Sequence, residues 1–275
     1  MKDRCRVKQQ KGQGLATQEQ NNAVSVKELL ESGAHFGHQK QRWNPKMKRF
    51  IFEERNGIYI IDLAKTVQQI RKCIDVVREM VSKRKSIMFV GTKKQAKIVV
   101  KECAEAAGEF YVCERWLGGM LTNLQTIRQS VKTLEKIEKR IASGGEGFTK
   151  KEMLLMGKEQ IKLNKNLSGI RAMRKPPGLL IVVDPGREHI AVAEANKLGI
   201  PVMALVDTNC DPDPVDYVIP CNDDALKSIK LILSALTQSI IDRKNEMNIS
   251  LGKGEEETAA IDEVESLEVT EEESK

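Results

Sequence analysis

The sequence predicts an α/β fold, a buried parallel sheet covered by helices and interrupted by one long helical hairpin. Two observations predict it. Short continuous apolar runs alternate with helically spaced segments in two separate stretches of the chain, and residues 122–175 between them hold helical periodicity with no strand signal. At 275 residues the chain has the length for one such domain with an insertion and tails, and enough for a sizeable core.

Each element follows in chain order. Residues 1–24 mix Lys, Arg, Gln and Gly with almost no large apolar side chains, so they predict a mobile polar arm. Ser25 and Glu28 have capping-box spacing ahead of Leu29, Leu30 and Gly33, which predicts a short helix. A loop from His35 to Lys48 precedes two strands, Phe50–Phe52 and Ile58–Ile61, around the Asn56-Gly57 turn. Val67, Ile70, Ile74, Val77 and Val81 then repeat at helical spacing. Ser86–Val90 is an apolar run closed by Gly91, followed by a helix from about Gln95 to Ala107 and a strand at Phe110–Val112. The alternation resumes with strands at Leu179–Val183, Pro201–Val206 and Tyr217–Ile219 and helices over Arg187–Leu198 and Asp223–Ile241. Residues 25–121 and 176–245 therefore form the globular α/β body.

The insertion, residues 122–175, reads as a coiled-coil hairpin. Leu124, Ile127, Val131, Leu134 and Ile141 make the seam of one arm and Met156, Leu163, Leu167 and Ile170 that of the other, separated by the glycine-rich 143–147. Thr122 with Gln125 and Thr149 with Glu152 have capping-box spacing, while Pro176 and Pro177 stop the second arm. Arms of about 21 residues would project about 30 Å. Thirteen basic residues against five acidic ones make its surface cationic and favour contact with phosphates over plain solvation.

Charge is distributed unevenly. Ten acids stand against Lys275 alone in residues 255–275, leaving 44 basic and 29 acidic residues, a net +15, in the rest. The body therefore calls for a polyanion, whereas residues 246–275 predict an acidic disordered tail. No run of 18 apolar residues and no apolar signal core is present, so a cytoplasmic protein without a membrane partner is expected. Six cysteines without a CxxC pair spell out neither a zinc ribbon nor a redox motif.

The segment Gln39–Phe50 concentrates Lys40, Arg42, Lys46, Lys48 and Arg49 around Trp43 with no acid, a pattern that neutralises phosphates while the indole stacks on a base or packs inward. His35 and His38 share a helical spacing, but no nearby pattern completes a metal set. Gly91-Thr-Lys-Lys94 follows a strand and opens a helix, where free amides bind phosphate, yet it lacks the full nucleotide-loop spacing. Lys93 and Lys94 there are read as RNA contacts. Asp184 and Asp207 end strands, the usual place for α/β active sites. Both also read as caps or turn residues, Asp184 before a proline at the first helical position. A divalent ion at these carboxylates stays open, and no cofactor motif is present.

Gly33-Ala-His-Phe-Gly-His38, Arg42-Trp-Asn-Pro-Lys-Met47, Asn56-Gly-Ile-Tyr-Ile-Ile-Asp62, Phe89-Val-Gly-Thr-Lys-Lys-Gln95, Arg115-Trp-Leu-Gly-Gly-Met-Leu-Thr-Asn123 and Leu205-Val-Asp-Thr-Asn-Cys-Asp-Pro212 resemble the bacterial S-two family of the small ribosomal subunit, over about residues 25–240. The resemblance implies a Rossmann-like three-layer parallel sheet with an inserted coiled-coil hairpin and no catalysis. It further implies partners in small-subunit ribosomal RNA and neighbouring ribosomal proteins, including the large S-one protein. Lys132, Lys136, Lys139, Lys158, Lys162 and Lys165 on the hairpin join the residues named above as expected RNA contacts. Two features depart from the family pattern: the polar arm before Val24 is longer, and Gly186 stands where a second basic residue is common beside Arg187. A nucleotide-dependent α/β enzyme using Gly91–Lys94 with Asp184 or Asp207, and a free RNA-binding regulator, are the alternatives.

Overall fold

The computed structural model describes residues 24–143 and 148–272, from residue 250 on as backbone alone. The expected mobile arm lies outside the described residues except for Val24, which is buried in the core.

A five-stranded parallel sheet forms the centre: β4 (Ile87–Val90), β5 (Phe110–Val112), β6 (Leu179–Val183), β7 (Val202–Val206) and β8 (Tyr217–Pro220), in the order β5-β4-β6-β7-β8. β4, β6 and β7 are buried at every position, which is why they read as unbroken apolar runs. Alternate residues face opposite layers. Ile87, Phe89, Leu179, Ile181, Val183, Met203, Leu205 and Ile219 pack under α1 (Val26–Glu31), α2 (Leu63–Ser82), α3 (Lys97–Ala107) and α7 (Leu226–Glu272). Met88, Val90, Leu180, Val182, Val202, Ala204 and Val206 pack under α6 (His189–Lys197).

The hairpin supplies what α6 leaves uncovered on that second face. Its arms are α4 (Leu124–Ala142) and α5 (Lys150–Leu167), which pack against each other. Ile127 and Val131 at the base of α4, Leu167 at the end of α5, and Ile170 and Met173 beyond it belong to the same core cluster as the sheet. The insertion is therefore rooted in the body rather than hung from it. Gly169 is required here, because a Cβ would stand 2.2 Å from the carbonyl oxygen of Tyr111 on β5.

One carboxylate fixes that root. Glu194 of α6 is buried and accepts hydrogen bonds from Trp116 Nε1 (3.1 Å) and from the amides of Gly119 (2.7 Å), Leu121 (3.0 Å) and Thr122 (3.1 Å), with Thr122 Oγ1 also donating (3.1 Å). Burial opposes its ionisation, but these donors outweigh burial and hold its pKa below the ordinary value. The capping box expected at Thr122 is accordingly absent. Asn123 is the N-cap, without a side-chain bond, because the threonine hydroxyl is drawn to Glu194 instead.

A second, antiparallel sheet flanks the first: β1 (Phe36–Gln39), β2 (Ile51–Arg55) and β3 (Ile58–Ile61), in the order β1-β3-β2. The β2–β3 turn has Asn56 at φ 53° and Gly57 at φ 75°, as an Asn-Gly hairpin demands. β1 falls where a loop is expected, since Phe-Gly-His-Gln shows no alternation and gains its partner only by pairing with β3 through an irregular register. The boxes at Ser25/Glu28 and Thr149/Glu152 both form. α7 carries helical backbone to Glu272, through a segment where composition leads to an unfolded tail. Glu, Ala, Met and Leu there are good helix formers.

Glu194→Ala should lower unfolding free energy by about 3 kcal/mol or more, because several buried donors lose their acceptor together. Glu194→Gln should fall between the variant and wild type. Urea denaturation measures both, and a loss under about 1 kcal/mol for the alanine variant would show that the root holds without this carboxylate.

Candidate functional site

The sheet order reverses between β4 and β6, so their carboxyl ends open the crevice where α/β proteins usually bind ligands. The protein fills this crevice with its own groups. The Gly91 amide donates to Val112 O (3.0 Å). Thr92 is buried and donates through its amide (3.1 Å) and its hydroxyl to the Glu188 carboxylate, while accepting from Arg187 Nε (3.0 Å). A carboxylate thus occupies the position that a phosphate would take in a nucleotide loop, and Glu188 would repel one.

Lys93 turns inward as well. Its Nζ lies 2.6 Å from Asp223, 2.7 Å from Asp224 and 3.5 Å from Asp184. Burial alone would lower its pKa, but the carboxylates hold it well above the usual lysine value. Asp207 lies 3.0 Å from His38 Nδ1 and accepts from the Thr208 amide (2.5 Å), and His38 Nε2 reaches Asp224 at 3.3 Å. The hydrogen bond to Asp207 raises the His38 pKa. Burial first, then the charges of Asp207 and Asp184, push Asp223 up to about 7 despite Lys93. Asp184 holds a left-handed φ of 63° and accepts from the Arg187 amide (3.1 Å). It therefore caps the turn before α6 rather than α6 itself, whose N-cap is Glu188.

His38 with Asp223 and Asp224, and Asp184 with Cys210 and Asp223, are close enough to hold a cation. Cys210 is poorly suited to ligation as it stands, since burial and the adjacent Asp184 keep its thiol protonated.

The basic segment docks on the same edge. Asn44 N donates to Thr208 O (2.8 Å), His38 N donates to Thr208 Oγ1 (2.8 Å), and a Cβ on Gly37 would stand 2.6 Å from Thr208 Cγ2. Met47 and Phe50 are buried, which leaves Lys48 and Arg49 exposed beside them, with Arg49 over the Phe50 ring. Trp43 is half-buried against Tyr59, ring centroids 4.7 Å apart. Lys46 bridges Asp211 and Asp213, Lys40 pairs with Glu54, and Lys165 pairs with Glu114. Arg42 lines a cavity of about 340 Å³ with Gly37, His38, Gln39, Ile58 and Asp224.

Nine of the expected RNA contacts thus stand exposed without an acidic partner among the described residues: Arg42, Lys48, Arg49 and Lys94 on the body, and Lys132, Lys136, Lys139, Lys158 and Lys162 on the hairpin. Lys40, Lys46, Lys93 and Lys165 are neutralised internally, Lys93 most completely. Glu188 and Glu194, the two carboxylates that organise the site, escaped the sequence reading because their partners lie more than seventy residues away in sequence.

A model of the ribosomal protein S2 family matches residues 29–243. The chain is 72% identical over 240 residues to the small ribosomal subunit protein uS2 of Protochlamydia amoebophila (strain UWE25), covering 87% of this chain and 88% of that one. It is 63% identical to the protein of the same name from Chlamydia abortus (strain DSM 27085 / S26/3), with 83% of each chain covered, and 59% identical to that of Chlamydia pneumoniae, with 84% of each covered.

Asp223 makes stability depend on pH in a defined sense. The folded protein keeps a proton that the unfolded chain releases near pH 4, so this group's contribution falls as pH rises from about 4 to about 7. His38, with its pKa raised, acts in the same direction. Asp223→Asn should flatten the fall, so the melting temperature of the variant gains on wild type between about pH 5 and 8. Parallel profiles for the two proteins would refute the assignment.

Proposed function

Since the chain belongs to the ribosomal protein S2 family, we propose that it anchors small-subunit ribosomal RNA through the exposed cations of its hairpin and of the Gln39–Phe50 segment. It is a structural protein of the small ribosomal subunit and not an enzyme. The observation that carries the RNA reading is the separation of its cations into two sets. One set is neutralised within the protein, and the other, five of its lysines on the hairpin, faces solvent with no ion-pair partner among the described residues. Holding so many like charges on one projection is costly until a polyanion arrives.

The hairpin acts as a coiled coil, stiff enough to carry those lysines to RNA beyond the body. Its seam supports this: Ile127, Val131, Leu134 and Ile137 are buried along α4. The resemblance adds attachment of the S-one protein and a cytoplasmic setting in the ribosome. Exposed Val26, Leu30 and Phe36 support a protein-facing surface at the α1–β1 end. No helix among the described residues is long and apolar enough to cross a membrane.

Changing Lys132, Lys136, Lys139, Lys158 and Lys162 together to Gln should leave the melting curve unchanged, because all five are exposed and lie off the seam. Incorporation into small subunits, followed on sucrose gradients, should fall several-fold. Incorporation equal to wild type would sink the hairpin reading, and tight RNA binding with no ribosome co-sedimentation would favour a free regulator. The acidic segment from Glu255 is read as facing away from RNA and screening the body before assembly. A chain ending at Gly254 should then bind unrelated RNA more tightly at low salt, with the gap closing as salt rises. Equal affinities across a salt series would remove that role.

A further inference from the structure

The root of the hairpin holds a cationic notch that charge counting along the sequence does not isolate. A cavity of about 320 Å³ is lined by Leu124, Gln125, Arg128, Gln129, Lys132 and Arg174. Arg128 and Lys132 stand one turn apart on α4, as do Gln125 and Gln129, and Arg174 closes the notch from the segment that leaves α5. No carboxylate lines it, and none lies within ion-pair distance of its three cations among the described residues. Nearby cations are treated differently: Arg171 is paired with Glu138 and Lys165 with Glu114. The three charges of the notch are thus unpaired among the described residues, as Lys136 beyond it is, while Arg171 and Lys165 are neutralised.

The walls are also held still. Ile127 and Val131 on the inner side of the same α4 turns are buried, Met173 beside Arg174 is buried, and the chain entering α4 is pinned by Glu194 at Thr122. A ligand meeting these donors finds their backbone already ordered, which lowers the entropic cost of binding. Two guanidinium forks suit phosphate oxygens, an ammonium suits an adjacent charge, and glutamine amides can both donate and accept at a ribose hydroxyl.

We propose that this notch clamps the sugar–phosphate backbone of folded ribosomal RNA, with Arg128 and Arg174 gripping phosphate from the two walls and Lys132 neutralising the next one. The inference rests on the RNA reading of the hairpin and makes its root the principal contact. The amides of Gln125 and Gln129 then meet the ribose edge.

The test uses the full chain and transcribed small-subunit ribosomal RNA, with affinity measured across a salt series. Replacing Arg128, Lys132 and Arg174 by Gln should reduce the slope of log affinity against log salt by about two to three, and weaken binding about a hundredfold at 0.1 M salt. A control replacing Arg140, Lys150 and Lys151 by Gln removes three charges near the far end of the hairpin, none of them among the expected RNA contacts, and should change the slope by less than about one. Both variants should melt with wild type, since every altered side chain is exposed. Equal losses in the two variants would overturn the notch and leave the hairpin as a diffuse cationic surface. No loss in either, with wild-type binding intact, would overturn the RNA reading of the hairpin itself. If the root variant binds RNA normally but fails to enter subunits, the notch grips an acidic protein neighbour, and the proposal is wrong.

Discussion

The buried carboxylate of Glu194 is the interaction on which the rest of the structure depends. Taking a charge out of water is expensive, and only a nearly complete set of donors offsets it. Here one indole, three amides and one hydroxyl supply that set, all from the eight residues Arg115–Thr122. The loop is therefore obliged to wrap around α6, and the direction in which α4 leaves the body follows from it. Burial of Trp116, Met120 and Leu121 against the sheet then comes with the same wrapping.

A fold that elsewhere cradles ligands is here closed from within. Glu188 takes the donors of the β4–α3 turn and the ammonium of Lys93 sits among Asp184, Asp223 and Asp224. The left-handed backbone of Asp184, worth on the order of 1–3 kcal/mol of strain, shows that this arrangement is held by its surroundings. Closing the crevice turns an edge suited to turnover into a rigid platform on which the Asn44–Phe50 segment is mounted through Thr208. On the proposed RNA reading, function moves outward, from the sheet edge to the projecting cations.

Local signals were legible in the sequence and long-range ones were not. The apolar strands, the Asn56-Gly57 turn, the boxes at Ser25 and Thr149 and the two-arm insertion all depend on neighbours within a few residues, and their spacing announced them. Thr122 has the same local signature as Thr149, yet its hydroxyl serves a carboxylate from another element. Lys93 looks like any exposed lysine after a strand, and only the fold brings Asp184, Asp223 and Asp224 to it. Lys46 is similar, with Asp211 and Asp213 far along the chain. The clustering of acids at 207, 211, 213, 223 and 224 in an otherwise basic body was the available sign that some cations would be consumed internally.

An arm held at one end is a lever. α4 has 19 residues, so it reaches about 28 Å, and a tilt of about 5° at its base displaces its end by roughly 2.5 Å, enough to break a hydrogen bond. If the hairpin meets RNA as proposed, the accuracy with which its outer half does so is therefore set by torsional stiffness at the base. A substitution behind Glu194, touching no partner at all, would blur every contact along the arm, and more so with distance from the hinge.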